Sequence, residues 1–316
     1  MNYTARWISY NRTNAFSSLA IDYINQQQSL VSFQQYTPDV DGIKAAINER
    51  KKYSTNRTLL VKTLKDQYKK IPASEKVNAN IEQLSLPNTF TICTAHQPNL
   101  FTGYLYFVYK ILHAIKLADE LNQLFPEYRF VPVYYMGSED NDLEELNRIN
   151  LNGDKLLWQT SQTGAVGRMN TKGIADLITA IEGQLNIFEY GTQLSALLKQ
   201  CYTESPTVQE ATFKLVHHLF QKYGLVVLIP DEPNLKKEML PVFKDDLFEH
   251  TPAAIVKQTA EKLSGQYHAQ VNPREINLFY MKDNIRERII EEGGLFSVNN
   301  TNITFTKEEI QELRQQ

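Results

Sequence analysis

Apolar positions recur along this chain in two rhythms. Over residues 1–86 they return every three or four positions, the spacing that gathers them on one side of a helix. Helices are predicted over 17–28 and 40–68, with Ile43 and Ile47, then Leu60 and Leu64, marking the stripe of the second. Asp39 or Asp41 supplies its cap, and Lys69, Lys70 and Pro72 end it. A polar helical stretch reaches Leu84, and Pro87-Asn88 marks a turn. The rhythm then changes. Residues 89–94 read as a short strand, and 104–121 as a long helix, apolar nearly all round and hence buried. Residues 130–136 form a second apolar strand, and 139–146 open like a helix. This alternation predicts an α/β fold with a parallel sheet. A helix over 208–223, a strand over 225–229 and a helix running to Leu247 repeat the unit, with Pro230-Asp231-Glu232-Pro233 as the turn. Residues 151–205 lie between the units and read as an inserted connective region with Gly-punctuated loops and two helical stretches. Near the end, 278–282 and 286–290 flank Asp283-Asn284, a hairpin signal. Thr306 with Glu309 has the spacing of a capping box. The expected organisation is an N-terminal helical segment, 1–86, followed by an α/β core, 87–316.

Composition narrows the function. With 33 basic and 36 acidic residues the net charge is -3, which supplies no bulk attraction to nucleic acid or an anionic membrane. Two cysteines, Cys93 and Cys201, cannot build a disulfide scaffold and fit a reducing cytoplasm. The first sixteen residues lack a basic stretch followed by an apolar one, so no secretory signal is visible. Lys110, His113, Lys116 and Asp119 interrupt the apolar stretch at 104–121, which excludes a membrane span there.

Two loops carry candidate chemistry. The first, His96-Gln97-Pro98-Asn99-Leu100-Phe101-Thr102-Gly103, leaves a strand and enters a helix, where backbone N–H groups and the helix dipole favour an anion. His96, Gln97, Asn99 and Thr102 add side-chain donors, and Gly103 permits close approach of a ligand to the backbone. Lys110 reaches such an anion only if the loop folds back over the helix. The loop is neither a Walker A loop nor a dinucleotide fingerprint, and an ordinary α/β connection looks the same. The second loop is Ser138-Glu139-Asp140-Asn141-Asp142. In a parallel sheet it shares an edge with the first. Its three carboxylates suit a general base, an ammonium site or a divalent cation, while plain helix capping accounts for them equally. It lacks the glycine and late glutamate of an EF-hand. Residues 164–168 read as a surface loop with one cation, Arg168, and Cys93 as a buried small residue of its strand. His217 and His218 are adjacent on a helix and point apart. There is no Cys-x-x-Cys, His-Glu-x-x-His or Gly-x-Ser-x-Gly motif, so no metal site is assigned.

Taken in order, several segments resemble the cysteine ligase family of bacillithiol biosynthesis (BshC). They are His96-Gln97, Leu100, Thr102-Gly103, Leu105-Tyr106, Lys110-Ile111 and Val131-Pro132-Val133. Glu139-Asp140, Asp142, Glu145, Asn147, Asn277-Leu278-Phe279-Tyr280 and Arg286 follow. The resemblance covers nearly the whole chain. Two positions depart from the family pattern: Tyr104 stands where a proline is usual, and Asn141 where a histidine is usual.

The resemblance implies a Rossmann-like core and a ligase that adds L-cysteine to the amine of glucosaminyl-malate. By analogy with class I synthetases, the His96 loop would hold ATP phosphates, although no motif states whether ATP or another cofactor is used. It implies catalytic roles for His96, Glu139, Asp140 and Asp142. Substrate- or phosphate-binding roles fall to Gln97, Asn99, Thr102, Gly103, Lys110, Asn147 and Arg286, the last pairing with a carboxylate. Family members are longer, with a C-terminal coiled coil thought to make a homodimer. None of that is in this sequence, so an N-terminal portion, incomplete at its C-terminus and monomeric, is expected. The competing expectations are a catalytically incomplete fragment that binds an anionic small molecule or nucleotide, and a metal-dependent hydrolase using the acidic cluster.

Overall fold

The computed structural model describes residues 4, 6–72 and 74–313; positions 1–3 and 314–316 of the expected domains lie outside them. In chain order, four helices come first: α1 (Ser18–Ile24), α2 (Val40–Arg50), α3 (Arg57–Tyr68) and α4 (Glu75–Gln83). Then come β1 (Thr89–His96), α5 (Leu105–Leu124), β2 (Arg129–Met136), α6 (Leu143–Leu146) and the strands β3 (Arg148–Leu151) and β4 (Asp154–Leu157). Helices α7 (Ile174–Leu185), α8 (Gly191–Thr203) and α9 (Val208–Phe220) lead to β5 (Val226–Leu228). After α10 (Pro233–Glu238), α11 (Leu240–Phe248) and α12 (Thr251–Ser264), the chain closes with β6 (Phe279–Lys282), β7 (Ile285–Glu292), β8 (Leu295–Val298), β9 (Thr304–Phe305) and α13 (Lys307–Leu313).

These elements form two compact units. Residues 1–55 and 242–277 make the first; 56–241 and 278–316 make the second. In the first unit, Asp39 caps α2 by accepting from the Gly42 N–H at 2.8 Å. Tyr267 donates to Asp22 at 2.8 Å, and Asp246 accepts from the Asn277 N–H at 2.8 Å.

The second unit is built on a parallel sheet in the order β1-β2-β5. Residues 89–96 pair in register with 129–136, and 133–135 with 226–228. Helix α5 buries Phe107, Ile111, Ala114, Ile115, Ala118 and Leu121, and packs on β1 and β2. Val61, Leu64 and Tyr68 of α3, Val77 and Ile81 of α4, and Phe213, Val216 and Phe220 of α9 share a core with β2 and β5. Each such buried side chain contributes roughly 1.5–3 kcal/mol. Helix α3 also closes the free side of β5. The Val227 N–H donates to Tyr68 Oη at 2.8 Å, and the Gln67 amide bonds both backbone groups of Ile229. Helices α3 and α4, read from the sequence with the N-terminal segment, therefore belong with the sheet. Residues 151–205 form their own core with α9, in which Trp158, Ile174, Ile178, Leu198 and Tyr202 are buried.

The structure corrects several boundaries. The helix expected over 40–68 is two helices, because Asn56 starts α3 anew by accepting from the Leu59 N–H at 3.1 Å. Helix α5 is not buried all round: Leu105 and Tyr109 are 66% and 64% exposed, since the sheet covers only one of its faces. Cys93 is exposed, on the alternating outward positions of β1, and Cys201 is the buried one. The hairpin turns at Asp283 (φ 52°) as expected, and extends into an antiparallel sheet, β6-β7-β8-β9. Thr306 and Glu309 form the expected capping box, with bonds of 2.7 and 3.2 Å.

Candidate functional site

Parallel pairing delivers the ends of β1, β2 and β5 to one edge. His96 lies opposite Met136 in the ladder, so the loops that follow leave side by side. The Gly137 N–H donates to the His96 carbonyl at 2.8 Å, and Gln97 Nε2 donates to Asp140 Oδ2 at 2.7 Å. The two loops singled out in the sequence are thus joined, at the position where ligands gather in open α/β sheets.

The three carboxylates of the second loop are not equivalent. Asp142 caps α6, accepting from the Glu145 N–H at 3.4 Å. Glu139 is paired with Lys236 Nζ at 2.7 Å. Asp140 accepts from Gln97 and from the Asn141 N–H, lies 3.8 Å from Arg286, and keeps 40% of its side chain exposed. Residues 139–142 themselves form a loop, and only 143–146 are helical, because Asp142 starts the helix one position later.

The side chain of Arg286 is occupied within this loop. It donates to the Glu139 carbonyl at 2.8 Å and to Asn141 Oδ1 at 3.1 Å, and lies over the Phe279 ring at 3.7 Å. Lys110 donates to the Ala95 carbonyl at 2.6 Å, which ties α5 to the end of β1. Asn147 closes α6, where its backbone N–H donates to the Leu143 carbonyl. Thr102 and Gly103 line an apolar cavity of about 450 Å³ together with α5, α7, α8 and α9 residues. Asn99 is buried, with neither amide atom bonded among the described residues. The backbone here is left-handed at Phe101, Thr102 and Gly103 in succession (φ 54°, 75°, 60°).

The loop after β5 brings residues that the sequence reading left unassigned. Asp231 is held by Arg168 at 2.5 and 2.7 Å and by Lys236 at 2.6 Å. Burial alone would raise its pKa, but the two cations overcome this and hold the carboxyl below the usual range. Burial likewise works against the charge on Lys236, and its bonds to Asp231 and Glu139 outweigh it and raise its pKa. Arg168 is not on a plain surface loop. Val166 and Gly167 are buried, and their N–H groups donate to the carbonyls of Asp140 and Ser138 at 2.8 and 2.9 Å. The signal that points to Asp231 is the one used for the other loops, a polar turn directly after an apolar parallel strand.

At the end of β1, the His96 pKa is lowered, first by burial and further by Lys110, against the Gln97 carbonyl and Glu145. A neutral imidazole at this edge suits proton transfer near neutral pH. Among the described residues no group of three or more His, Cys, Asp or Glu is disposed to hold a metal ion, and no helix is long and apolar enough to cross a membrane.

Comparison with known proteins agrees with this architecture. Residues 3–316 match the family described as bacillithiol biosynthesis BshC, N-terminal Rossmann-like domain. A protein of Flavobacterium psychrophilum named "Putative cysteine ligase BshC" is 42% identical over 309 residues, covering 97% of this chain and 58% of that protein. Proteins of the same name from Cytophaga hutchinsonii (43% identical, 96% and 56% covered) and Salinibacter ruber (28%, 94% and 56%) are similar along the same region. The chain thus spans a little over half the length of these relatives.

Proposed function

The chain belongs to the BshC family of bacillithiol biosynthesis, and from that premise we propose that it carries the substrate site of a ligase joining L-cysteine to the amine of glucosaminyl-malate. The observation that carries the proposal is the meeting of His96, Gln97 and Asp140 at one sheet edge, beside the cluster of Arg168, Lys236 and Asp231.

Amide formation needs two things from such an edge. The cysteine carboxyl must be activated, because a carboxylate resists attack by an amine. The attacking amine must be neutral, so its proton must go to a base. Asp140, 40% exposed and bonded to Gln97 and the Asn141 N–H, is the carboxylate best placed for that proton or for holding an ammonium group, since Glu139 is tied to Lys236 and Asp142 caps α6. His96, the residue before Gln97 at the same sheet edge, is a second proton carrier. Arg168 and Lys236, gathered on Asp231 of the β5 loop, stabilise negative charge developing on the activated carboxyl. ATP is the proposed activator, and Asn99 and the side-chain oxygen of Gln97, buried and unbonded in the β1 loop, are polar groups there with capacity to spare. Asn141 holds Arg286 through its side-chain oxygen, so the histidine usual at that position is replaced by a loop-fastening residue. A cytoplasmic setting belongs to the proposal, in keeping with two unpaired thiols.

A second reading is favoured by the cations Arg168 and Lys236 gathered at the same edge: the chain binds an anionic small molecule or nucleotide without completing the reaction. Mass spectrometry of thiol products decides between them. The protein is given cysteine, glucosaminyl-malate and ATP, with each omitted in turn. Bacillithiol formed only when cysteine and glucosaminyl-malate are both present supports the ligase. Nucleotide binding without product supports the second reading.

A further inference from the structure

Both ring nitrogens of His96 are engaged. Nδ1 lies 3.1 Å from the Gln97 carbonyl oxygen, and Nε2 lies 3.2 Å from the Tyr106 hydroxyl. A carbonyl only accepts, so Nδ1 carries a hydrogen. The same Tyr106 hydroxyl lies 3.4 Å from Glu145 Oε1. A phenol has one hydrogen, which it gives to His96 or to Glu145 but not to both. When His96 is neutral, Nε2 offers a lone pair and Tyr106 donates to it. When Nε2 gains a proton, its N–H donates to the Tyr106 oxygen, and the phenol hydrogen turns to the Glu145 carboxylate. Both ring nitrogens and the Tyr106 hydroxyl are bonded in both states, and Glu145 receives the phenol hydrogen only in the protonated one.

We infer that Tyr106 is a positioning residue for His96, a hydroxyl that turns between Nε2 and Glu145 so that the imidazole keeps one orientation with or without its proton. The surroundings hold the phenol in place. Tyr104 stacks on Tyr106 with ring planes 8° apart, and Arg148 Nε donates to the Tyr104 hydroxyl at 3.1 Å. The other neighbours of His96 set its balance without contacting Nε2. Lys110 on α5 opposes a charge there, and Glu145 on α6 favours it. Phe107 meets the ring edge-on at 5.6 Å, and Tyr134 of β2 donates to the His96 carbonyl at 3.0 Å and not to its ring. The Tyr106 side chain is exposed, so it is also the outward end of the pair, where a proton enters. The role of this switch in moving the amine proton rests on the ligase reading; the hydrogen-bond exchange does not.

Histidine-selective nitrogen-15 NMR on the whole chain reads the switch directly, with the His96 signals identified by their loss in His96→Gln. The neutral ring of His96 is expected in the Nδ1–H form. In Tyr106→Phe the ratio of Nδ1–H to Nε2–H forms should fall about fivefold, the effect of one lost hydrogen bond. An unchanged ratio overturns the inference. Should Tyr106→Phe fail to fold, Glu145→Gln gives a second reading: the His96 titration midpoint should fall, because the protonated state exchanges a charged acceptor for a weaker neutral one, and an unmoved midpoint overturns the switch. Turnover of cysteine, glucosaminyl-malate and ATP is measured alongside. In Tyr106→Phe, kcat should drop about tenfold with KM for cysteine within about twofold. A shifted tautomer ratio with no product from the unaltered protein overturns the ligase reading and leaves the switch standing. Product formation with an unmoved ratio does the reverse.

Discussion

Asp231 is the most enclosed carboxylate of the site, with 6% of its side chain exposed. Its pKa lies below the ordinary 3.8 because Arg168 and Lys236 outweigh the effect of burial. A depressed carboxyl pKa adds stability above the unfolded value and loses it as pH falls through the folded one. The cluster therefore stabilises the fold at neutral pH and stops doing so in the acid range below 3.8. Asp231→Asn should flatten the acid limb of a plot of melting temperature against pH. At pH 7 it should cost about 1–3 kcal/mol, less than for a fully enclosed pair because Arg168 is 37% exposed. Asp140 is the contrasting case. It is half-open and caps nothing, so Asp140→Asn should abolish product formation with the melting temperature nearly unchanged. A large drop in melting temperature with turnover retained would move Asp140 to a purely structural role. The carboxylate loop was legible in the sequence because it directly follows an apolar strand. Which of its three carboxylates is already engaged was not, because Lys236 arrives from helix α10, far downstream in the chain, and non-local pairing leaves no mark in local spacing.

Among the elements, the β1 loop shows most clearly where periodicity stops being informative. The strand and helix on either side were read from their spacing, yet three successive left-handed residues between them were not. Phe101 and Thr102 pay a conformational penalty that only surrounding contacts can enforce. One such contact is the Phe101 N–H, which donates to Tyr202 Oη at 3.0 Å. Gly103 has φ 60°, and a Cβ built there would sit 2.5 Å from Asn99 Nδ2. Gly103→Ala should therefore destabilise the protein by about 1–3 kcal/mol and displace Asn99, read as a lowered urea midpoint with an unchanged slope. At the other end of the chain, the capping box of α13 was legible because its two residues are three apart. Thr306→Ala should cost about 1 kcal/mol, and amide exchange within α13 should quicken accordingly.

The whole molecule divides in a way that local pattern does not reveal. Residues 242–277 continue smoothly from a helical stretch, and nothing in their spacing marks them as belonging with residues 1–55. Within the second unit, β2 is the one strand of the parallel sheet paired on both sides. Amide exchange should be slowest over 129–136 and faster over 89–96, which mass spectrometry of peptides from the exchanged protein can measure. The reverse order would mean that β1 is protected by a neighbour outside the described residues. The division of the first unit also sets a timetable. A ribosome adding roughly 5–20 residues per second takes about 10–40 seconds to pass from residue 55 to residue 242. Throughout that wait the newborn N-terminal stretch has left, or is leaving, the exit tunnel without the stretch it folds with. Leu30 and Ile47, buried in the finished protein, are then open to solvent and to whatever holds unfinished chains. The sheet unit has most of its own sequence in hand during the same interval. Synthesis order therefore favours completing the candidate site's scaffold before the first residues of the chain find their place.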